Sequence, residues 1–316
     1  MQRRAADADP AHRLAERSLV AMVKAPNVAI ADPRTNWSSL TQEQRDAAYD
    51  NNGAVADSPA LIEKRNAGSA LYRKAHPAGL DIPYGPKDRN RFDLYPAKHP
   101  DAPCLVFIHG GYWQRNTRED FAMFMAGVQA HGWSAALPGY SLAPEVKLPD
   151  IVAEIRAALD WLQAHGREHG ISGPVILSGW SAGGHLTAMA LDHPLVTAGL
   201  AISGVYDLEA LRDTKLNQAL QLTDSDIAAL SPLRLPVVMK PMTIAYGTAE
   251  VPALVNDSGN LHMLRAVAHA PGVLLPVARA NHFNILDHLT DPDGDLTRAA
   301  LDLARAYGTV PDGKAP

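Results

Sequence analysis

The 316-residue chain holds a single cysteine, Cys104, so no internal disulfide can form and its folding calls for no oxidising compartment. Cys104 sits inside the run Cys104-Leu105-Val106-Phe107-Ile108, where a thiol packs as a small hydrophobe. Long apolar runs are missing too. The best one near the start, Leu19-Val20-Ala21-Met22-Val23, falls short of the roughly 7–15 residues of a signal-peptide core. The cytoplasm is therefore the expected compartment, and no membrane partner is expected. Charge of one sign is not concentrated anywhere. Lys and Arg number 29 against 34 Asp and Glu, a net charge of −5, and the short basic stretch Arg3-Arg4 is no stripe for nucleic acid. No His-x-His or HExxH pattern appears, and one cysteine cannot build a zinc site, so neither metal nor cofactor is expected. Repeats and low-complexity segments are absent.

What remains is an ordinary globular composition, 47% hydrophobic and 20% charged. A chain of this length can bury roughly three quarters of its unfolded surface, so it needs no staples. Residues 1–81 are rich in Ala, Asp, Asn and Arg and read as a helical extension, its first thirty or so residues disordered. Within it, Thr41 and Gln44 form a capping-box pattern ahead of a helix to Tyr49, and Pro59 to Arg73 carries helical spacing. From residue 82 to 316, strand and helix signals alternate. Strands are expected at Phe92–Tyr95, Cys104–Ile108, Trp133–Leu137, Val175–Leu177, Gly199–Val205, Met242–Tyr246 and Val273–Val277. Helices are expected at Asp120–Ala130, Pro149–His165, Ala182–Leu191 and Leu296–Tyr307, with an irregular helical cap insert at about 208–236. Such alternation predicts an α/β fold: a mostly parallel central sheet with helices on both faces.

The strongest local signal is Gly179-Trp180-Ser181-Ala182-Gly183, a G-x-S-x-G sequence between a strand and a helix. A serine on so tight a turn leaves no room for side chains two residues to either side, and glycine at both places removes the clash. The helix that follows aims its first amides at a developing oxyanion. Two further glycines stand in His109-Gly110-Gly111-Tyr112-Trp113, just past the strand ending at Ile108. Their backbone can approach a carbonyl oxygen closely, so Gly110, Gly111 and Ala182 are the candidate oxyanion-hole donors. His109 is expected to brace that loop, and Tyr112, Trp113 and Trp180 to contact substrate.

A serine nucleophile needs a base. In the chain order Ser, acid, His, the base follows the last strand, which selects His282 in Asn281-His282-Phe283 from thirteen histidines. His185 is read as a packing residue and His288 as a helix residue. His165, His169, His193, His262 and His269 are read as solvated. The acid should follow the preceding strand, where Gly247-Thr248-Ala249-Glu250 offers Glu250. Asp207, which could equally cap the helix after it, and Asp257 are the rivals.

Taken together, HGGYW, GWSAGGH, YGTAE and NHF resemble the kynurenine formamidase (arylformamidase) family of α/β-hydrolases, relatives of hormone-sensitive-lipase-type esterases. Tyr84-Gly85, Arg91 to Pro96 and Tyr49-Asp50-Asn51-Asn52 extend the resemblance, from about Trp37 to the end. It implies the α/β-hydrolase fold and a triad of Ser181, His282 and Glu250, with the oxyanion hole at Gly110, Gly111 and Ala182. It also implies cleavage of an aryl formamide such as N-formylkynurenine, an activity of tryptophan catabolism. This chain departs from the family in having Glu250 where animal members usually carry Asp, and Ala253-Leu254 where an acidic-aromatic pair is usual. The expected partner is a small acyl substrate. A short-acyl carboxylesterase and, more remotely, a non-catalytic binding protein are the competing readings. A homodimer is left open.

Overall fold

A computed structural model describes residues 37–308, so the apolar run at Leu19–Val23 and the disorder expected at the start lie outside the described residues. Eight strands form one sheet: β1 (Ile82–Pro83), β2 (Arg91–Tyr95), β3 (Cys104–Ile108), β4 (Ser134–Pro138), β5 (Val175–Trp180), β6 (Val196–Ile202), β7 (Met242–Gly247) and β8 (Gly272–Val277). Their spatial order is β1-β2-β4-β3-β5-β6-β7-β8. The pairs β1/β2 and β2/β4 are antiparallel; all the others are parallel. The central strands β3, β4 and β5 are buried at every position, as strands covered on both faces must be. Alternation along them divides the core in two. Cys104, Val106 and Ile108 join one apolar cluster, while Leu105 and Phe107 join the other.

The principal helices are α1 (Gln42–Ala48), α2 (Ser58–Ala75), α3 (Leu148–His165), α4 (Ala182–Met189), α5 (Pro252–Val267) and α6 (Asp295–Tyr307). The capping box at Thr41 and Gln44 forms as its sequence suggests, both reciprocal bonds being present. Helix α3 buries Leu148, Ile151, Ile155, Leu159 and Leu162, the stripe that a 3.6-residue period lays on one side. No helix among the described residues is long and apolar enough to cross a membrane.

Three differences from the sequence expectations have physical causes. Helix α5 was not anticipated. Its centre, Asn256-Asp257-Ser258-Gly259-Asn260, is made of turn-forming residues, and burial of Leu254 and Leu261 overrides that local preference. The expected helix Asp120–Ala130 is a 3₁₀ segment over Arg118–Met125 that becomes α-helical only at Ala126. The strand expected to reach Val205 stops at Ile202, because Ser203 turns the chain with φ +52°.

The N-terminal extension is tied to the sheet by ion pairs. Arg73 Nε of α2 lies 2.7 Å from Asp93 Oδ2 on β2, and Arg118 Nε lies 3.1 Å from the other oxygen. The Asp93 carboxylate is fully buried, so two guanidiniums replace its lost hydration. The extension also rests on the 208–236 insert, through Trp37 Nε1 to Asp213 Oδ2 and Lys215 N to Asp46 Oδ1.

Candidate active site

The sharp turn at the carboxyl end of β5 carries Ser181 at φ 59°, ψ −119°, a conformation costly for any residue with a Cβ. Neighbouring packing holds it there. A Cβ on Gly179 would lie 2.2 Å from the Gly183 carbonyl oxygen, and one on Gly183 would lie 2.0 Å from that of Ile108. Only glycine lets the turn fold back against β3. Ser181 N donates to Ile202 O at 2.8 Å, and its carbonyl accepts from His185 N, so the elbow is fixed from both sides. Trp180 then secures His282: its Nε1 donates to the His282 carbonyl at 2.8 Å, and the two rings lie 4.6 Å apart.

His282 stands on a short turn shaped by Asn281, whose Oδ1 accepts from the backbone of both Phe283 and Asn284. The ring's Nδ1 lies 2.9 Å from Glu250 Oε2. The other carboxylate oxygen of Glu250 accepts from Ser203 Oγ at 2.5 Å and from Gly247 N at 2.8 Å. Glu250 has no side-chain exposure, and these three donors take the place of water. Ser203 escaped the sequence reading, since nothing marks a serine one residue beyond a strand as a carboxylate partner. No hydrogen bond joins Ser181 Oγ to His282 here; both residues line one cleft of about 410 Å³.

The rival acids are engaged elsewhere. Asp207 Oδ1 accepts from Glu209 N, at the start of the helix Glu209–Arg212, and its carboxylate pairs with Arg234 at 3.1 Å. Asp257 Oδ2 accepts from Tyr206 N at 2.6 Å and Asp207 N at 3.3 Å; burial pushes its carboxyl up to about 7, against the pull of those two donors.

His109 is buried, stacks on Tyr140 at 4.2 Å and 10°, and its carbonyl accepts the Tyr140 hydroxyl at 2.8 Å. Burial pulls its imidazole down to about 3 and that of His185 to about 4, partly offset in each by a backbone carbonyl. Neither ring is suited to general-base work near neutrality. His193, expected to be solvated, is instead buried, with Nε2 3.0 Å from Asp160. Its Nδ1 accepts from Leu195 N, so both ring nitrogens are used in closing the turn before β6.

The glycine loop divides differently from expectation. Gly111 (φ +123°) and Tyr112 (φ +51°) border the cleft beside Ser181. Gly110 does not: a Cβ there would meet Trp180 O at 2.5 Å and Ser181 Cβ at 2.8 Å, so its role is close contact with the elbow. Trp113, expected to contact substrate, is fully buried and packs edge-on against His185 at 5.0 Å. Trp180 and Tyr112 do line the cleft, and the Tyr112 hydroxyl donates to Tyr49 O and accepts from Asn51 Nδ2.

The rest of the wall comes from the extension and the glycine loop rather than from the insert. Asn51, Asn52, Ile62 and Arg65 line the cleft together with Arg115, Asn116 and Phe283, and Arg65 Nη2 donates to Asn116 Oδ1 at 3.3 Å. No residue of 208–236 lines the cleft among the described residues, so the insert supports the extension and the extension forms the wall.

A family model described as BD-FAE matches residues 92–193, which span β2 to the end of α4. Kynurenine formamidase from Danio rerio is 24% identical over 292 residues, 85% of this chain and 98% of that protein. Esterase LipQ from Mycobacterium tuberculosis is 32% identical over 119 residues, 35% of this chain and 28% of its own length. A crystal structure from Silicibacter sp. TM1040, provisionally described as a thioesterase, superposes with a TM-score of 0.71 at 30% identity, covering 80% of this chain and 97% of that one. With this fold and these relatives, the chain belongs to the kynurenine formamidase-like α/β-hydrolases related to hormone-sensitive-lipase-type esterases, and it is a hydrolase.

Proposed function

We propose that the chain cleaves small acyl amides, foremost an aryl formamide of the N-formylkynurenine type, through Ser181, His282 and Glu250. One observation carries the reading: an imidazole held by a buried carboxylate at 2.9 Å shares a cleft with a serine on a strained strand-to-helix turn. Glu250, accepting the Nδ1 proton, leaves Nε2 unprotonated for the serine. His282 takes the Oγ proton as Oγ adds to the scissile carbonyl. The oxyanion is stabilised by the amides of Ala182 at the head of α4 and of Gly111 and Tyr112 on the loop. His282 then returns its proton to the leaving amine as the C–N bond breaks, and water attacks the acyl-serine with His282 again as base. Formate and the free amine leave. The open Ser181–His282 gap is compatible with this route, because catalytic hydrogen bonds are often long before substrate binds.

The kynurenine formamidase likeness over nearly the whole chain supports the formamide, while the LipQ likeness favours a second reading, a short-acyl carboxylesterase. The two differ in outcome. For the first reading, kcat/KM for N-formylkynurenine exceeds that for p-nitrophenyl acetate; a dominant ester preference rejects it. Labelling of Ser181 by a fluorophosphonate tests the nucleophile itself, and a folded sample that does not label favours a binding protein instead.

A further inference from the structure

Two guanidiniums line the proposed catalytic cleft, and neither pairs with a carboxylate among the described residues. Arg65, on α2, is almost wholly buried yet has no ion pair. Its Nε donates to Asn66 Oδ1 at 3.0 Å and its Nη2 to Asn116 Oδ1 at 3.3 Å, and its guanidinium lies 4.4 Å above the Phe121 ring. Those three contacts fix its plane and leave Nη1 without a partner among the described residues. Burial lowers its affinity for the proton and Asp120 opposes that, so the charge is held at a cost. Arg115, which lines the same cleft, is exposed and makes no side-chain hydrogen bond or ion pair among the described residues. The remaining wall residues are Asn51, Asn52, Ile62, Gly111, Tyr112, Asn116, Trp180, Ser181, His282 and Phe283, none of them acidic. Nearby carboxylates are committed elsewhere. Glu250 holds His282, Asp287 pairs with Lys64, and Asp120 accepts from Thr117 N. A buried, orientationally fixed guanidinium facing a cleft that holds the nucleophile is poorly explained by packing alone, since a neutral side chain would fill the space without the desolvation cost.

From this we infer that Arg65 and Arg115 form a carboxylate-recognition subsite, so that the cleft selects acyl substrates bearing a carboxylate away from the scissile bond. The inference rests on the acyl-transfer reading above and adds the charge of the substrate. Arg65 is the fixed anchor, offering Nη1, and Arg115 is the exposed second donor to the same anion. The carboxylate can belong to the leaving group or to the acyl group.

Two substrate pairs separate these sources. N-formylkynurenine against its methyl ester places the carboxylate on the leaving group. p-Nitrophenyl hydrogen succinate against p-nitrophenyl methyl succinate places it on the acyl group. In at least one pair the free carboxylate is expected to have the higher kcat/KM, by about tenfold or more, chiefly through KM. In Arg65→Gln and Arg115→Gln that ratio falls toward one. Arg115 is at the surface, so its variant keeps the test alive should the Arg65 variant misfold. Raised ionic strength lowers the ratio as well, which a merely structural role for the arginines would not do. Equal turnover within both pairs, or a ratio unchanged in the folded variants, overturns the inference while leaving the hydrolase reading intact. Hydrolysis of none of the four overturns both.

Discussion

Glu250 Oε2 sits 2.9 Å from His282 Nδ1, while its other oxygen is held by Ser203 Oγ and Gly247 N. The carboxylate is thus fixed at both ends, and the ring bound to it has one orientation in which Nδ1 carries the proton. Replacing Glu250 by Gln offers an amide that can present N–H to Nδ1 and so favours the wrong tautomer. The expected loss in kcat for Glu250→Gln is about 10³–10⁴-fold. Asp207→Asn, which touches only Arg234 and a helix start, should stay within a few-fold. The opposite ranking in steady-state kinetics moves the acid to Asp207.

Ser181→Ala removes the nucleophile from a site that keeps its other groups. Activity should fall by about 10⁴–10⁶-fold with Tm nearly unchanged. Residual activity within tenfold of the parent chain would mean that another group attacks the carbonyl.

Ser203 is a positioning residue. It adopts φ +52°, so glycine removes its hydroxyl without backbone strain. Ser203→Gly should lower kcat by roughly tenfold with little change in KM or Tm. An unchanged kcat removes the Ser203–Glu250 bond from the account.

Gly110→Ala places a methyl group 2.5 Å from Trp180 O and 2.8 Å from Ser181 Cβ. Either the loop or the elbow must shift, and both carry proposed oxyanion donors. A fall in kcat of about 10²-fold or more is expected, comparable to losing one such donor. Near-normal kinetics would show that the loop can relax without moving the donors.

His109 and His185 contribute stability that depends on pH. Burial holds them at about 3 and about 4, against an ordinary 6.5. Between pH 6.5 and those values the unfolded chain takes up protons that the folded chain refuses. Their contribution is therefore complete above about 6.5 and is lost as pH falls toward 4 and then 3. The drop in Tm from about pH 7.5 to about pH 5 should be smaller in His185→Gln than in the parent, because one such proton sink is gone from the unfolded chain. An equal or larger drop contradicts the assignment.

Local spacing was enough to nominate the candidate residues that the fold brings together. The glycines flanking Ser181 are required by the turn itself, and Glu250 and His282 each follow a strand at a distance their own sequence neighbours reveal. The strand-helix alternation likewise specifies a mostly parallel sheet, while the antiparallel pairs β1/β2 and β2/β4 leave no such local mark. Helix α5 was illegible, because its centre consists of turn-forming residues and only burial of Leu254 and Leu261 makes it helical.

What the sequence alone determined are the features encoded by short-range sterics and periodicity: the elbow, the capping box of α1, the stripe of α3 and the order of triad candidates. The tertiary structure decided everything that depends on residues far apart in the chain. It brought Ser203 to Glu250 across 47 positions and Arg65 to Asn116 across 51. It turned Trp113 into the core and gave the cleft wall to the N-terminal extension instead of the insert. Such contacts follow from how layers dock on the sheet, and no local pattern records which side chain a docked helix will present to a cleft.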